Sequence, residues 1–149
     1  MKCATTTETE VSAAPAVAPT VCDIRLPMGL LGFEQIKDYL LIINPAEAPF
    51  RWLQVKDNSA LAFVVIDPFL VMPDYHPDIP QADAESLGLT TPEQAALFNI
   101  VTLHANQRAT INLKGPIVIN RNTGIGKQVV LANAAEFSVQ HPLPVAENV

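Results

Sequence analysis

The feature that most constrains this chain is a series of short apolar runs, rich in Val, Ile and Leu, which Gly, Pro, Asn and Asp interrupt from Val21 onward. This spacing is typical of an all-β domain, because short strands alternate with turn residues. Predicted strands occupy residues 39–43, 50–55, 61–66, 96–103, 109–113, 117–120 and 128–131. Several are apolar at consecutive positions, which indicates strands buried on both faces or closed into a barrel. We therefore predict an all-β, single-domain, β-barrel-like fold.

Two interruptions between the predicted strands have the pattern of short helices. Residues 82–88 combine helix-forming side chains with Gly88, which suits the left-handed position after a helix end. Thr91, Pro92 and Gln94 form a capping-box pattern, with Thr at the N-cap, Pro at N1 and Gln at N3. Strand-like sequence resumes directly afterwards. We predict one or two short helical turns within the β domain.

The last predicted strand pair is joined by a loop in which Gly124 and Gly126 precede Lys127. A phosphate-binding loop requires another glycine five residues before its Gly-Lys pair, and Ser or Thr after the lysine. Arg121 and Gln128 occupy those positions, and the loop leads into a strand rather than a helix. The pattern therefore favours a hairpin turn, in which glycine supplies left-handed backbone conformations.

Residues 1–20 are rich in Thr, Ala and Pro and contain no large aromatic side chain. Such a segment cannot bury enough apolar surface to offset its ordering entropy. We predict a disordered N-terminal tail over residues 1–20, followed by the β domain over residues 21–149. Cys3 and Cys22 lie in or beside this tail. Two cysteines so placed do not predict a disulfide framework, which favours a reducing compartment.

The charge balance limits the kinds of partner. The 149 residues include 15 acidic and 9 basic side chains, so the net charge is −6 and the pI is near 4.9. Nucleic-acid binding needs clustered Lys and Arg, so we expect no direct nucleic-acid contact. A basic protein partner is compatible with the negative net charge.

No segment has the roughly 18 to 20 apolar residues of a membrane helix, and the first residues lack the apolar run of a secretory signal. We predict a cytoplasmic protein that contacts no membrane.

No residue pattern indicates an enzyme, a metal or another cofactor. The sequence has neither a Gly-x-Ser-x-Gly motif nor a Cys-His signature, and its three histidines are far apart with no partner at metal-ligand spacing. Asp74 and Asp78 are the remaining candidates, as a pair of carboxylates for a hydrolase. An Asx-turn in which Asp74 accepts backbone N–H groups beside Pro73 is favoured over catalysis.

Residues 67–75 are the strongest candidate for a contact surface. They follow a β-branched strand and place apolar and aromatic side chains around Pro68 and Pro73. Proline restricts φ and cannot donate to a sheet ladder, so the strand ends at a rigid corner. Rigid aromatic side chains in loops are good anchors for protein contacts. The predicted partner-binding residues are Phe69, Pro73, Asp74 and Tyr75, together with Phe33 in an earlier loop. For the three aromatic residues, packing in a small hydrophobic cluster under the loop is an equally supported alternative.

The sequence is also compatible with a second class of function, the binding of a small ligand. Trp52, Phe63 and Phe98 lie within strand patterns, where packing in the core is their favoured role. If the three rings lined a cavity instead, the chain would be a small-ligand-binding β-barrel.

Four ordered segments resemble motifs of the FliW family of flagellar assembly factors. They are residues 29–34, with Leu31 where the motif has proline; residues 49–55; the corner segment 67–75, with Asp67 and Phe69 as variants; and residues 112–120, followed by 127–131 and 141–143. Together the segments extend over most of the predicted domain, and their shared order makes the resemblance more specific than any one of them.

The resemblance implies a small β-barrel-like protein without catalytic activity, which works in the cytoplasm by exchanging partners. Members of the family bind flagellin and the small, basic, RNA-binding translational repressor CsrA. Export of flagellin frees the factor to bind CsrA and relieve repression, and accumulated flagellin captures the factor again. The resemblance also implies that CsrA is antagonised away from its RNA-contacting surface. We expect a monomer when no partner is bound.

Overall fold

The computed structural model of the protein describes residues 3–5, 19–105 and 108–143. Within these ranges the strands are β1 Cys3–Thr5, β2 Thr20–Arg25, β3 Asp38–Ile43, β4 Phe50–Val55, β5 Asn58–Ile66, β6 Ala95–Leu103, β7 Ala109–Ile111, β8 Ile117–Asn120, β9 Gly126–Gln128 and β10 His141–Pro142. The helices are α1 Pro68–Val71 and α2 Gln81–Ser86, with 3-10 turns at Pro45–Glu47, Pro92–Gln94 and Ala134–Glu136. No helix in the described ranges is long and apolar enough to cross a membrane.

Antiparallel pairing joins most strands in the order β1-β2-β3-β4-β5-β6-β7-β10. The long strand β6 takes part in three pairings: residues 99–101 pair with β5, residues 101–103 pair with β7, and residues 95–98 pair with β8, which continues to β9. A parallel bridge between Arg25 and Ile125 connects the end of β2 with the residue before β9. The sheet therefore curls round without closing through a continuous ladder, and it resembles a barrel only loosely. The predicted all-β, single-domain fold with short helical turns is confirmed.

The curled sheet packs around two hydrophobic clusters. The first is built mainly from β2, β3, β4 and β5, and the second from the later strands and the loops between them. Strand β8 contributes to both clusters, because Ile117 and Ile119 belong to the first and Val118 to the second. All four residues of β8 are buried. A strand that lies between two cores explains why its sequence is apolar at consecutive positions.

The predicted bounds of strands and turns agree with the structure where residues close in sequence determine them. Strands β4 and β8 have the predicted bounds, and the capping-box pattern forms the turn Pro92–Gln94. The predicted strand at 128–131 is wrong except for Gln128, because β9 begins at Gly126. A Cβ atom on Gly126 would lie 2.8 Å from Cγ1 of Ile119, so this close approach of the two strands needs glycine. The residues after Gln128 leave the ladder, and two of them are buried in the second cluster.

The structure differs from the prediction at the amino terminus. Strand β1 pairs with β2 and places Cys3 opposite Cys22, and the two cysteines form a disulfide that the sequence analysis did not predict. Cys22 is 2% exposed and belongs to the first cluster. Pairing with a neighbouring strand determines this arrangement, and three residues are too few for a periodic pattern to reveal it. Residues 1–2 and 6–18 of the predicted tail, and residues 106–107 and 144–149 of the predicted domain, lie outside the described residues.

Candidate protein-binding surfaces

The proline corner at the end of β5 is the short helix α1. Asp67 is its N-cap, and the carboxylate of Asp67 accepts a hydrogen bond from the backbone N–H of Phe69 at 2.9 Å. Pro68 takes the first helical turn, where its missing N–H leaves no hydrogen bond unmade. The sequence predicted an Asx-turn in which Asp74 accepts backbone N–H groups beside Pro73. At this corner the side chain of Asp67 accepts a backbone N–H, because Asp67 directly precedes the helix.

Three of the predicted contact residues lie on the surface of this corner. Phe69 is 42% exposed, and Pro73 and Asp74 are also exposed. Leu70, which the sequence analysis did not select, is 63% exposed beside Phe69. Neighbouring apolar side chains on a capped turn lose little conformational entropy on binding, which suits them to contact another protein.

Tyr75 lies beneath this surface rather than on it. It is 4% exposed, and its ring packs against Phe69 and Phe137 with centroid distances of 5.7 and 4.9 Å. Its hydroxyl donates a hydrogen bond to the backbone carbonyl of Leu113 at 2.6 Å. Burial raises the pKa of Tyr75, and the neighbouring side chain of Asn99 lowers that pKa to a smaller extent. Tyr75 therefore supports the corner from the inside, and its ring does not face a partner directly.

Phe33 belongs to a different part of the molecule. Its ring contacts the ring of Phe63 edge-on, with centroids 5.1 Å apart, and Phe33 is 38% exposed. Phe63 packs against the first cluster, whereas Tyr75 beneath the corner belongs to the second. The aromatic contacts of Phe33 and Phe69 are therefore separate, and the structure does not bring the five predicted residues into one cluster.

The rim of the corner is acidic. Nε2 of His76 lies 3.0 Å from a carboxylate oxygen of Glu136, and its Nδ1 lies 3.2 Å from the backbone carbonyl of Asp74. The hydrogen bond with Glu136 is the main reason that the pKa of His76 is raised, followed by the hydrogen bond with the Asp74 carbonyl. Asp67 and Asp78 lie in the same segment of the chain. A surface that combines apolar side chains with carboxylates is complementary to a basic partner.

A second exposed apolar surface was not predicted from the sequence. Met28, Leu31, Val130 and Val139 line a groove of about 330 Å³, and they are 64, 83, 75 and 52% exposed, respectively. The side-chain oxygen of Gln128 accepts a hydrogen bond from the backbone N–H of Leu31 at 2.8 Å and so joins segments that are 97 residues apart. The sequence shows these apolar residues only as separate positions far apart in the chain. Their common surface could not be predicted, because the fold brings them together.

Two of the three aromatic residues that would line the cavity of a ligand-binding barrel pack in or against the core. Phe98 is 6% exposed and belongs to the first cluster, and partly buried Phe63 packs against the same cluster. Trp52 is half-buried, and its indole N–H donates to the carboxylate of Glu47 at 3.1 Å. Among the residues that the structure describes, no group of three His, Cys, Asp or Glu side chains is arranged to hold a metal ion.

The fold and its surfaces define a small, single-domain, mostly β protein that exposes apolar side chains at a capped corner and in a groove. The crystal structure of a flagellar assembly factor FliW has a similar fold, with a TM-score of 0.73 and 35% sequence identity. The alignment covers 84% of this chain and 87% of that chain.

Sequence comparison identifies the family. Residues 3–143 match the family model described as FliW protein. The flagellar assembly factor FliW of Leptospira biflexa serovar Patoc is 45% identical over 109 residues, which are 72% of this chain and 71% of that protein. The corresponding protein of Syntrophus aciditrophicus is 43% identical over 121 residues, covering 80% of this chain and 76% of the relative. The chain belongs to the FliW family of flagellar assembly factors, as the four sequence motifs predicted.

Proposed function

We propose that this protein is a cytoplasmic, non-enzymatic flagellar assembly factor that binds flagellin and the repressor CsrA in alternative complexes. Binding to CsrA relieves the repression of flagellin translation, and accumulated flagellin withdraws the factor from CsrA. Flagellin production is thereby coupled to flagellar assembly. The proposal combines membership of the family with the partner exchange that the sequence resemblance implies.

The observation that carries the proposal is the corner at α1. Exposed Phe69 and Leu70 provide apolar area on a capped helix; Asp74, three residues after the helix, is exposed, and the carboxylate of Glu136 contacts His76 nearby. CsrA is a small basic protein, and this chain has a net charge of −6. Complementary charge accelerates association and selects among partners, whereas the apolar centre of an interface supplies most of the affinity.

The exchange needs no covalent change in the protein. By mass action, a tenfold change in the concentration of one partner is equivalent to about 1.4 kcal/mol of binding free energy. Two affinities that both lie near the working concentrations are therefore sufficient for flagellin to displace CsrA. Catalytic groups and cofactors have no role in this mechanism.

The proposal is tested by competition among purified proteins. Fluorescently labelled CsrA is first bound to the factor, and unlabelled flagellin is then titrated into the complex. We expect the anisotropy of labelled CsrA to fall to the value of free CsrA as the flagellin complex forms. Lysozyme, another small basic protein, serves as the control for non-specific charge attraction and is expected not to bind. A ternary complex, or no binding of either partner, would contradict the proposal.

The proposed location has a separate consequence for the cysteines. Disulfides are rare in the cytoplasm, because glutathione and thioredoxin keep thiols reduced. We therefore expect Cys3 and Cys22 to be thiols in the cell and to form the disulfide when the protein is exposed to an oxidant. Alkylation of rapidly quenched cells, followed by mass spectrometry, measures the two states. Complete protection of both cysteines would contradict a cytoplasmic location.

A further inference from the structure

A concave surface beside β4 combines two aromatic rings with one carboxylate. Its lining residues are Glu47, Phe50, Trp52, Val64 and Leu103, around a volume of about 360 Å³. Phe50 and Leu103 are 36% and 70% exposed, whereas Trp52 and Val64 are half-buried. Phe50 and Trp52 are two residues apart in β4, so the alternation of side chains along a strand places both rings on the same face of the sheet.

A hydrogen bond holds the carboxylate against one of the two rings. The indole N–H of Trp52, the only tryptophan of the chain, donates to Oε1 of Glu47 at 3.1 Å. The other carboxylate oxygen accepts no hydrogen bond from the described residues, and Glu47 has no ion-pair partner among them. Because Glu47 is exposed, its second oxygen can accept a hydrogen bond from another molecule.

The charge of this surface has one sign. Among the described residues that line it, only Glu47 is charged. The guanidinium of Arg51 lies 5.4 Å from the ring centroid of Phe98 in the first cluster, and so on the other face of β4. Arg108 pairs with His104, the residue after β6, so alternation places it on the face opposite the last residue of β6. The surface is therefore complementary to a cation and not to an anion.

This surface adjoins the corner at α1. Phe50 pairs with Ile66, and Asp67, the N-cap of α1, follows directly. Paired residues on neighbouring antiparallel strands lie about 5 Å apart, so Phe50 is close to the helix that carries Phe69 and Leu70. A stable interface covers about 800 Å² of each partner, which is enough to include both the corner and this surface.

Arginine is the side chain that best fits two rings beside a carboxylate. Its planar guanidinium stacks on aromatic faces, donates hydrogen bonds to a carboxylate and is more weakly hydrated than the ammonium group of lysine. Phe50 and Trp52 supply the aromatic surface, and Glu47 supplies the acceptor. Arginine is also one of the residue types that contribute most to affinity at protein interfaces.

We propose that Glu47, Phe50 and Trp52 form a site for an arginine side chain of a basic protein partner. On the basis of the function proposed above, this partner is CsrA, which covers the corner and the arginine site in a single interface. Apolar contacts with Phe69 and Leu70 then supply affinity, and the arginine site adds selection for a cationic partner.

A titration with a small molecule tests the site by itself. N-acetylarginine amide is added to the isotopically labelled protein, and the single indole N–H resonance of Trp52 is followed by NMR. N-acetylcitrulline amide is the control, because it has a neutral urea group of nearly the same shape in place of the guanidinium. We expect a saturable shift with the arginine compound and at least fivefold weaker binding of the citrulline compound. Equal shifts with both compounds, or no shift with either, would contradict a cation site.

Two substitutions separate the charge from the aromatic surface. Glu47→Gln removes the charge but keeps an acceptor for the indole of Trp52, and Phe50→Leu removes a ring but keeps an apolar side chain. We expect each variant to bind both N-acetylarginine amide and CsrA at least fivefold more weakly than wild type. Circular dichroism and the thermal midpoint confirm that the variants are folded.

The matched control is Glu93→Gln. Glu93 is exposed in the turn Pro92–Gln94 and does not line the surface. This variant loses the same charge as Glu47→Gln, so it measures the effect of net charge alone on the association with a basic protein. It should bind CsrA and N-acetylarginine amide within twofold of wild type, and a loss equal to that of Glu47→Gln would contradict a local site.

The possible results separate this site from the proposed function. If CsrA binds wild type and the folded variants Glu47→Gln and Phe50→Leu equally well, the arginine site is wrong and the proposed function stands. If wild type does not bind CsrA, the proposed function fails and so does the choice of this partner. If the Trp52 resonance shifts with protein concentration alone and sedimentation shows a dimer, a second copy covers the surface and the proposal is wrong.

Discussion

The hydroxyl of Tyr75 donates a 2.6 Å hydrogen bond to the backbone carbonyl of Leu113, 38 residues further along the chain. This bond ties the segment after α1 to the loop between β7 and β8. It also places the Tyr75 ring directly beneath Phe69. The exposed corner is thus supported by a buried polar contact with a distant part of the chain.

Removal of that hydroxyl tests its contribution to stability. Tyr75→Phe keeps the ring but leaves the buried Leu113 carbonyl without this donor, and we expect a loss of about 1–3 kcal/mol in the free energy of unfolding. Tyr75→Ala also removes the ring and should cost about 3–5 kcal/mol. Urea unfolding followed by fluorescence measures both values. An unchanged midpoint for Tyr75→Phe would mean that the bond contributes nothing net.

Binding at the corner is tested with a matched pair of leucines. Leu70 and Leu103 are 63% and 70% exposed, so alanine at either position should change the free energy of unfolding by no more than about 0.5 kcal/mol. Leu70→Ala is expected to weaken CsrA binding by about 1 kcal/mol or more, because it removes apolar area from the proposed interface. Leu103→Ala, at the end of β6, should leave it unchanged. Isothermal titration calorimetry measures both, and equal effects would argue against a contact at the corner.

Asn120 links β8 to the end of α2. It is 3% exposed; its side-chain nitrogen donates to the carbonyl of Leu87 at 2.8 Å, and its side-chain oxygen accepts from the N–H of Asn122 at 2.8 Å. Asn120→Ala leaves the carbonyl of buried Leu87 without this donor, whereas water can replace the acceptor at exposed Asn122, so we expect a loss of about 1–3 kcal/mol.

The control for this prediction is Asn58→Ala. Asn58 is exposed, and its side-chain oxygen accepts from the N–H of Ala60 at 3.1 Å. Water can replace the acceptor at an exposed position, so this variant should lose less than about 1 kcal/mol. Chemical denaturation of both variants measures the difference. Equal losses would show that burial does not determine the contribution of Asn120.

Two glycines in the loop of the groove separate backbone strain from steric clash. Gly29 and Gly32 both have positive φ, at 67° and 90°. A Cβ atom on Gly29 would lie 2.5 Å from the carbonyl oxygen of Phe33, whereas one on Gly32 would have no atom within 4 Å. Gly32→Ala should therefore cost about 1–2 kcal/mol from the left-handed conformation alone, and Gly29→Ala should cost clearly more. Thermal unfolding of both variants gives the comparison, and similar midpoints would mean that the loop shifts to relieve the clash.

The raised pKa of His76 gives a prediction with a defined sign. The hydrogen bond to Glu136 favours the protonated ring, so the folded-state pKa lies above the ordinary value of 6.5. The resulting stabilisation is fully present below pH 6.5 and is lost as the pH rises through the folded-state pKa. In an NMR titration, we expect Glu136→Gln to lower the pKa of His76 towards its ordinary value. Glu47→Gln, far from His76 in the sequence, is the control and should leave that pKa unchanged.

Local chemistry explains which elements the sequence predicted. Strand β4 follows from a short run of aromatic and aliphatic residues and the turn Pro92–Gln94 from a capping box, and both are present. The helix α1 was missed although Asp67 and Pro68 form a helix-start pattern, because four residues are too short for apolar periodicity to appear. Gly126 was read as a turn residue, yet it lies in β9 because only a glycine fits against Ile119.

The candidate surfaces were less predictable, because long-range contacts decide exposure. The corner sequence contains Phe69 and Tyr75 in similar local settings, but the contact with Leu113 buries only Tyr75. The groove joins Leu31 to Gln128 across 97 residues. The residue types in the loops predicted where the backbone is restricted. Which side chains are exposed depends on tertiary packing, which the sequence does not show.

The position of β8 between two cores has a consequence for how the protein is made. Ile117 and Ile119 help to fill the first cluster, whose other members come largely from β2, β3, β4 and β5. A growing polypeptide on the ribosome can pair those early strands, but their apolar face stays open until β8 has emerged. Nascent chains that stall before residue 117 should therefore be sensitive to proteases and bind chaperones, whereas the finished chain is protected.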